Sequence, residues 1–496
     1  MKSLRQGQGL SSILPIATLT GLALALRVIG YDSGAFRDEF FTLDEVLGHS
    51  LRGVFSSVAN GLEVTPPFYF MTVWLVSHSG SVDWLMRLPS LLAGVALVPV
   101  VYGIGRRVAR ESAGLLAAGF VAIAPSLLYY SNELRPYMLL SFLLCSSTYV
   151  LLRAVDDDRG RWWFAYAALG ALAMWTHYTA ALILGVQALW TWISLPGQRR
   201  AVLIANSGIG AAVLPWLLVV HRTSTLNYYG PMHWRDLWFQ VVETVPAEQH
   251  VKSSFLNASS STGRIAYRGW LMLWWALALG ATGAVVLKPG LPSFRSTKAL
   301  LVLCAAAVPV GLAAASAIEG WAMLTPRHVV VSAPYVLILL AAVVVSLPAR
   351  AARTVGVTLV AMLAVGTVIH MTDGAKRPGY LAVAQTLHAD SRPQDLIIDA
   401  QINDCQCGNL QSLRLALRGV GARTARLTKA PVSRRDLVRA QYQRGDIWVL
   451  LSGGRRIEGP LAQRIRLAGY AQIGHQSYGG WVQLSLLHFK RVRRAG

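Results

Sequence analysis

Apolar windows of about 20 residues, the length of a helix that crosses ~30 Å of hydrocarbon, recur through the first three quarters of the chain. They fall near 11 to 30, 84 to 105, 112 to 130, 137 to 153, 162 to 178, 180 to 195, 201 to 220, 266 to 287, 299 to 317, 329 to 347 and 351 to 371. This pattern predicts about eleven transmembrane helices. "PPFYFMTVWLVSHSG" (66–80) is also apolar, but it is short for a span, and counting it would invert every later loop. It predicts an interfacial helix, aromatic and amphipathic. "LDEVLGHSLRGVFSSVANG" (43–61) predicts another, with Asp44 and Glu45 in its first turn, where acid suits the helix dipole. From about 376 the period changes. "DLIIDA" (395–400), "DIWVLLS" (446–452) and "YGGWVQLSLLHF" (478–489) predict strands, and "RPGYLAVAQTLHAD" and "LAQRIRLAGY" predict helices between them. The expected fold class is a polytopic α-helical membrane protein over 1–375 with a small α/β domain over 376–496.

Charge orients these elements. "RRVARES" (106–112), "RAVDDDRGR" (153–161), "PGQRR" (196–200), "KPGLPSFRSTK" (288–298) and "PARAAR" (348–353) occupy alternate connections. The positive-inside rule puts them, with the N-terminus, in the cytoplasm. Residues 31–83, 131–137, 221–265, 319–328 and everything beyond about 372 then face outward. The expected location is the inner or plasma membrane, crossed many times, with the C-terminal domain extracytoplasmic. Composition agrees: 54% of residues are hydrophobic and 14% charged, against about 25% charged in soluble domains. The net charge of +22 does not indicate nucleic acid, because the basic residues form short clusters between apolar runs instead of one stripe. Cys145 and Cys304 lie in apolar runs and Cys405 and Cys407 form a lone C-x-C, too few ligands for a zinc site. The N-terminus has the charge and apolar core of a signal peptide without a convincing cleavage site, and reads as a retained first helix.

Against this basic background, "FRDEFFTLDE" (36–45) concentrates four acids in the first outer loop. Other ionisable groups gather at the same face. Glu63 precedes "TPPFY"; Glu133, Arg135 and Tyr137 lie in "YYSNELRPY"; His177 and Tyr178 lie in "WTHYTA"; Arg327 and His328 lie in "LTPRHVVVSAPY"; Arg87 sits just inside the second span. A charge near mid-membrane costs about 2.5–3.5 kcal/mol, so such a collection at helix ends implies a site. Acid beside arginine suits activation of a nucleophile by a carboxylate while guanidinium holds a phosphate leaving group. Taken one by one, each residue also fits a surface ion pair or a snorkelling helix end. The outer loop 221–265 is rich in Tyr, Trp and Ser, a mix that suits carbohydrate contact.

The ordered set "RDEFFTLDE", "TPPFYF", "RLPSLLAGVALVPVVYGIGRRVA", "YYSNELRPYMLLSFLL", "THYTAALIL" and "LTPRHVVVSAPYVLILLA" resembles the integral-membrane GT-C glycosyltransferases. In pattern it is similar to the superfamily of protein O-mannosyltransferases and lipid A aminoarabinose transferases, over roughly 10–370. The resemblance implies transfer of a sugar, with inversion, from a polyprenyl-phosphate donor to an extracytoplasmic glycan, lipid or protein acceptor. It also implies Asp38 as catalytic base with Glu39 beside it. Arg327, at the family's "PRY", would contact donor phosphate, helped by Arg87 and Arg135; His328 replaces the usual Tyr. Glu133, His177, Tyr178, Tyr137 and His328 would bind substrate, although Glu133 and Arg135 equally fit an ion pair bracing their loop. Glu63 stands where some relatives place a ligand for a divalent metal ion, but the sequence here is "EVTPP", without their Lys; His177, His233 or His250 would be the second ligand. A flippase or transporter of lipid-linked sugars is the alternative, and a scaffold with no turnover a third reading.

Overall fold

A computed structural model describes residues 13–29, 39–60, 65–78, 83–157, 160–220, 241–247, 261–286, 295–372, 379–400, 413–414, 416–417, 420–421, 426–429, 432–452, 460–478 and 484–492. They divide into two compact units. The first holds Glu45 to Ser77 and the helices from Leu88 to Thr372, together with Ile13–Val28; the second holds the C-terminal residues beyond 372 and also Glu39 to Asp44.

Each of the eleven apolar windows contains helix. By length and composition, six helices among the described residues suffice to cross a bilayer, and seven if the bent pair Glu111–Ile123 and Pro125–Ser131 is one span. Ile13–Val28 and Ala180–Ser194 are shorter apolar helices. The chain is a multi-pass helical membrane protein. Its outward-facing apolar residues, such as Leu14, Phe164, Leu203 and Leu218, are exposed, which is favourable only beside lipid.

Helix Leu88–Val108 packs on Glu111–Ile123 through Leu97, Val98, Val101 and Ile104 on one side and Ala117, Ala118 and Val121 on the other, all fully buried. Near the turn between the two helices the backbones touch. A Cβ on Gly105 would lie 2.9 Å from Gly114 Cα, and one on Gly114 would lie 2.6 Å from the Tyr102 carbonyl. Small residues permit this approach, from which membrane helices gain dispersion contacts in place of a hydrophobic force.

The window 112–130 is not one helix. It bends by 58° at Ala124, whose ψ of 122° is extended, as steric conflict with a following proline requires. Pro125 has no N–H, so the Val121 carbonyl loses its helical partner. Arg27, fully buried in the last turn of Ile13–Val28, makes good the loss. Its Nη2 donates to Val121 O (3.2 Å), its Nη1 to Ala122 O and Ala23 O (both 3.1 Å), and its Nε to Ser131 Oγ (3.0 Å). The Thr367 hydroxyl donates to the next carbonyl, Ile123 O. Gly94 gives the guanidinium room: a Cβ there would stand 2.1 Å from Ser131 Oγ and 2.9 Å from Arg27 Nε.

Two expectations for the first outer loop need correction. The segment 43–61 forms two helices, Glu39–Val46 and Leu51–Asn60, separated by Gly48 at φ +79°, a conformation that favours glycine. Asp44 and Glu45 therefore lie in the last turn of the first helix, and the acid in its first turn is Glu39. The helix Phe68–Ser77 is apolar on all sides, not amphipathic. It buries Tyr69, Phe70 and Val73 against Leu88–Val108 and Gly160–Thr176. Trp74 Nε1 ties it to the His49 carbonyl at 2.8 Å.

The C-terminal unit contains a five-stranded sheet of β1 (Leu396–Asp399), β2 (Arg426–Lys429), β3 (Ile447–Ser452), β4 (Tyr470–Tyr478) and β5 (Leu484–Arg491), ordered β2-β1-β3-β5-β4. β1 runs parallel to β2 and β3; β5 is antiparallel to β3 and β4. Alternation sends Ile397, Trp448, Leu450 and Leu486 to one face, under helix Tyr380–Asp390. Leu396, Ile398, Val449 and Phe489 go to the other, under Arg434–Tyr442 and Pro460–Leu467. β1, β3 and β5 meet the strand expectations; β2 and β4 had no apolar run to announce them.

Asp395 closes the entry to β1 and β3, accepting from the backbone N–H of Arg392 (2.9 Å) and Asp446 (2.8 Å) and from Trp448 Nε1 (3.2 Å). Opposite it the turn is crowded. A Cβ on Gly445 would come 2.1 Å from Gln394 O and 2.7 Å from Gln394 C, and neither atom belongs to a side chain that can swing away. Gly445→Ala is therefore expected to destabilise this unit by about 3 kcal/mol, at the upper end for overpacking. Limited proteolysis of the full chain should show faster cleavage after 372, and an unchanged pattern would refute the clash.

Candidate functional site

The site residues come from the turns that join helix ends in the first unit. Pro125–Ser131 carries Tyr130 and leads through Asn132 into Glu133 and Arg135; Tyr137 opens the next helix, Tyr137–Asp156. His177 and Tyr178 fall in the break between Gly160–Thr176 and Ala180–Ser194. Arg327 and His328 lie in the short helix Pro326–Val329 ahead of Ala333–Ser346.

The fold brings six of these side chains together. The Tyr137 ring is the hub, with centroids 5.7 Å from Tyr130, 5.9 Å from His177 and 6.1 Å from His328; the two histidine rings are 5.4 Å apart. The Arg135 guanidinium lies 6.0 Å from the Tyr137 centroid, a cation–π distance. The charges of Arg135 and Arg327 both act on the His328 imidazole. Arg135, Tyr137, His177 and His328 are buried, and Arg327 is half-buried. Two arginines and four aromatic rings, most of them buried, make a setting in which a phosphate is strongly attracted and a sugar has rings to lie against.

Hydrogen bonds fix the histidine tautomers. His177 Nδ1 accepts from the Thr179 backbone N–H (3.2 Å), with the Thr179 hydroxyl at 2.9 Å, so in the neutral ring the proton sits on Nε2. His328 Nδ1–H donates to Met323 O (2.9 Å) with Thr325 Oγ1 at 3.1 Å, so its Nε2 carries the lone pair. The pair thus offers one donor and one acceptor, which suits hydroxyl groups.

Arg87 is fully buried at the head of Leu88–Val108. One turn on, Ser90 Oγ donates to the Arg135 carbonyl (3.1 Å) and meets Tyr69 OH (2.8 Å), so the arginine turn is tied to two helices. This backing by Ser90 and Tyr69 was not expected from sequence, and the Tyr130 ring in the cluster was not either. Two other candidates have described partners outside this cluster. Tyr178 OH accepts from Trp216 Nε1 (2.8 Å), in an aromatic group with Phe55 and Trp175. Glu133 accepts from Tyr129 OH (2.9 Å), whose ring packs on His370. Glu39 is buried at the start of its helix and belongs to the second unit. Arg37, Asp38, Glu63, His233 and His250 lie outside the described residues, as do 221–240 and 248–260 of the outer loop.

Among the described residues, no three of His, Cys, Asp and Glu stand close enough to hold a metal ion. His177, the one described member of the suggested ligand set, has Nδ1 engaged by Thr179 and its proton on Nε2. In that tautomer it presents no free lone pair to a metal. Glu63, His233 and His250, the rest of that set, lie outside the described residues.

Residues 64–222 match the family described as dolichyl-phosphate-mannose-protein mannosyltransferase. No curated protein sequence matches the chain. Among solved structures, ArnT from Cupriavidus metallidurans in the apo state aligns over 95% of this chain and 97% of its own, at 14% identity and a TM-score of 0.55. The same protein bound to undecaprenyl phosphate aligns over 96% and 97%, at 13% identity and 0.55. The archaeal oligosaccharyltransferase AglB from Archaeoglobus fulgidus aligns over 89% of this chain and 69% of its own, at 10% identity and 0.48. At such identities the likeness to ArnT is one of fold.

Proposed function

We propose, from the premise that this chain has the GT-C fold of integral-membrane glycosyltransferases, that it moves a sugar from a polyprenyl-phosphate donor to an acceptor outside the cytoplasm. The observation that carries the reading is the cluster of Arg135 and Arg327 around Tyr137, His177 and His328. Likeness to a fold that has been crystallised with undecaprenyl phosphate supports the lipid class of the donor. All eleven apolar helices span or line the bilayer in this reading, with the basic connections inside and the C-terminal unit outside, in the inner or plasma membrane.

The acceptor hydroxyl oxygen attacks the anomeric carbon from the face opposite the phosphate. As the new C–O bond forms, the bond from that carbon to the phosphate oxygen breaks, and its electron pair leaves on polyprenyl phosphate, so configuration inverts. The hydroxyl proton passes to the Asp38 carboxylate, with Glu39 beside it in sequence. The charge gained by the phosphate is met by Arg327 and Arg135, with Arg87 as a third cation, and guanidinium suits it because its donors match two phosphate oxygens at once. His177 Nε2–H and His328 Nε2 hold sugar hydroxyls against the Tyr137 ring. Glu133 and Tyr178 act at the margin of the site. The acceptor is a glycan, lipid or protein of the cell envelope.

The test is purified protein with a panel of polyprenyl-phosphate sugars, following release of polyprenyl phosphate. Release from at least one donor is expected; transbilayer movement of donor without release would replace this reading by a flippase. Arg327→Gln and Arg135→Gln should each raise the donor KM by about 10- to 100-fold, equivalent to a charge-assisted hydrogen bond of about 1.5–3 kcal/mol. An unchanged KM in both would remove the arginines from the phosphate site.

A further inference from the structure

At the far end of the same helices lies a second basic feature. Leu88–Val108 is 21 residues long, about 30 Å at 1.5 Å per residue, so its C-terminal turn is a membrane's thickness from Arg87. There a cavity of about 450 Å³ opens between this helix and the end of Tyr137–Asp156, lined by Arg106, Arg107, Arg153, Tyr102, Tyr149 and the bare backbone of Gly103. Its volume is within the range of small-molecule sites, roughly 300–1,000 Å³.

The cavity is short of negative charge. Arg107 pairs with Asp156 and donates to Leu152 O at 2.9 Å. Arg153 lies over the Trp162 ring at 5.1 Å and Arg106 by the Tyr102 ring at 5.8 Å. Among the described residues neither of these has a carboxylate partner. The charges of both act on Arg107, so three guanidinium groups repel one another across one pocket; among the described residues Asp156 is the one acid paired with them, and Glu111 accepts from the lining Tyr102 at 3.4 Å. An anion entering there relieves that repulsion. Its walls are otherwise aromatic and aliphatic, including Val100 and Pro99, and it lies at the end of a membrane-spanning helix, the level of lipid headgroups.

We infer that this cavity binds the phosphate headgroup of an anionic membrane phospholipid, with Arg106 and Arg153 as its principal donors and the tyrosine walls against the glycerol. The inference is independent of the transferase reading, since it concerns the opposite end of the helices.

Full-length protein in detergent, titrated with phosphatidylglycerol or phosphatidylcholine and followed by native mass spectrometry, tests it. Wild type should retain phosphatidylglycerol at least tenfold more tightly than phosphatidylcholine, and Arg106→Gln with Arg153→Gln should remove that preference. Equal binding of the two lipids, or an unchanged preference in the double variant, would overturn the assignment. Displacement of the lipid by inorganic phosphate or glycerol phosphate at equal concentration would also overturn it, by making the ligand a soluble phosphate. Should the double variant aggregate, Gly103→Ala gives the same readout with all three arginines kept. Its Cβ would lie 2.8 Å from Tyr149 Cε2 and push that ring into the cavity; a preference as strong as wild type would count against the site.

Discussion

Asp38→Asn is expected to slow sugar transfer by about 10²- to 10⁴-fold, the usual contribution of a general base, while the donor KM stays within about threefold. Asparagine keeps the shape of the carboxylate but accepts no proton, so the attacking hydroxyl must shed its proton to water or reach the anomeric carbon as a weaker nucleophile. Donor binding rests on the arginines and is spared, which separates this variant from Arg327→Gln: one lowers kcat, the other raises KM. Glu39→Gln provides the internal comparison. Glu39 opens the helix Glu39–Val46, where its charge interacts with the dipole for about 0.3–1 kcal/mol, so a loss of stability with a smaller loss of rate is expected. Single-turnover release of polyprenyl phosphate measures both, and a normal rate for Asp38→Asn would remove this residue from the chemistry.

Arg27→Met should be the most damaging single change in the helical unit. It leaves the Val121 and Ala122 carbonyls and the Ser131 hydroxyl without the guanidinium that now donates to them. A buried polar group stripped of its partner costs about 1–3 kcal/mol, although measured hydrogen bonds between membrane helices average nearer ~0.6 kcal/mol. The two carbonyls are such groups, while the Ser131 hydroxyl keeps its bond to Leu127 O, which puts the loss at about 1–5 kcal/mol. The effect should reach the site, because the helix held by Arg27, Pro125–Ser131, carries Tyr130 against Tyr137. Gly94→Ala should act in the same direction with every hydrogen-bonding group retained, since its Cβ would occupy the space of Ser131 Oγ and Arg27 Nε. Arg27→Lys should restore part of the stability, having the charge but not the fork that spans two carbonyls. Thermal inactivation of detergent-solubilised protein ranks the variants, and an Arg27→Met melting temperature equal to wild type would show that the carbonyls find other partners.

The helical unit was legible because lipid-facing helices must be apolar over their whole length, a signal that does not depend on tertiary detail. What was hidden depends on it. Ala124–Pro125 was a readable break, since a residue before proline avoids helical angles, yet the apolar run continues across it. Nothing local distinguishes Arg27 from an arginine snorkelling at a helix end; its four acceptors belong to its own turn and to three residues about a hundred positions away. Gly48 was the missed signal that divides 43–61 and turns Asp44 and Glu45 from first-turn acids into last-turn ones. In the C-terminal unit, β1, β3 and the first half of β5 are covered on both faces and so carry mostly apolar residues. β4 is an edge strand exposed on both faces over most of its length, and has no hydrophobic period to read. Of the residues singled out in the sequence, Arg135, Tyr137, His177, Arg327 and His328 come together. Its reading of Tyr178 overlooked Trp216, a partner that only the packing of two helices supplies.

The Arg27 network also imposes an order of events on the ribosome. Ile13–Val28 is made first, but the Ala122 carbonyl lies 95 residues later. At about 5–20 residues per second, roughly 5–20 s pass before the bent helix emerges. For that interval the arginine has no native acceptor beyond Ala23 and must stay in the headgroup layer, where its long side chain reaches water. The first helix therefore waits at the membrane surface end of its path until the third apolar segment arrives, and a truncated nascent chain ending near residue 110 should leave Arg27 open to guanidine-directed chemical labelling that the completed protein resists.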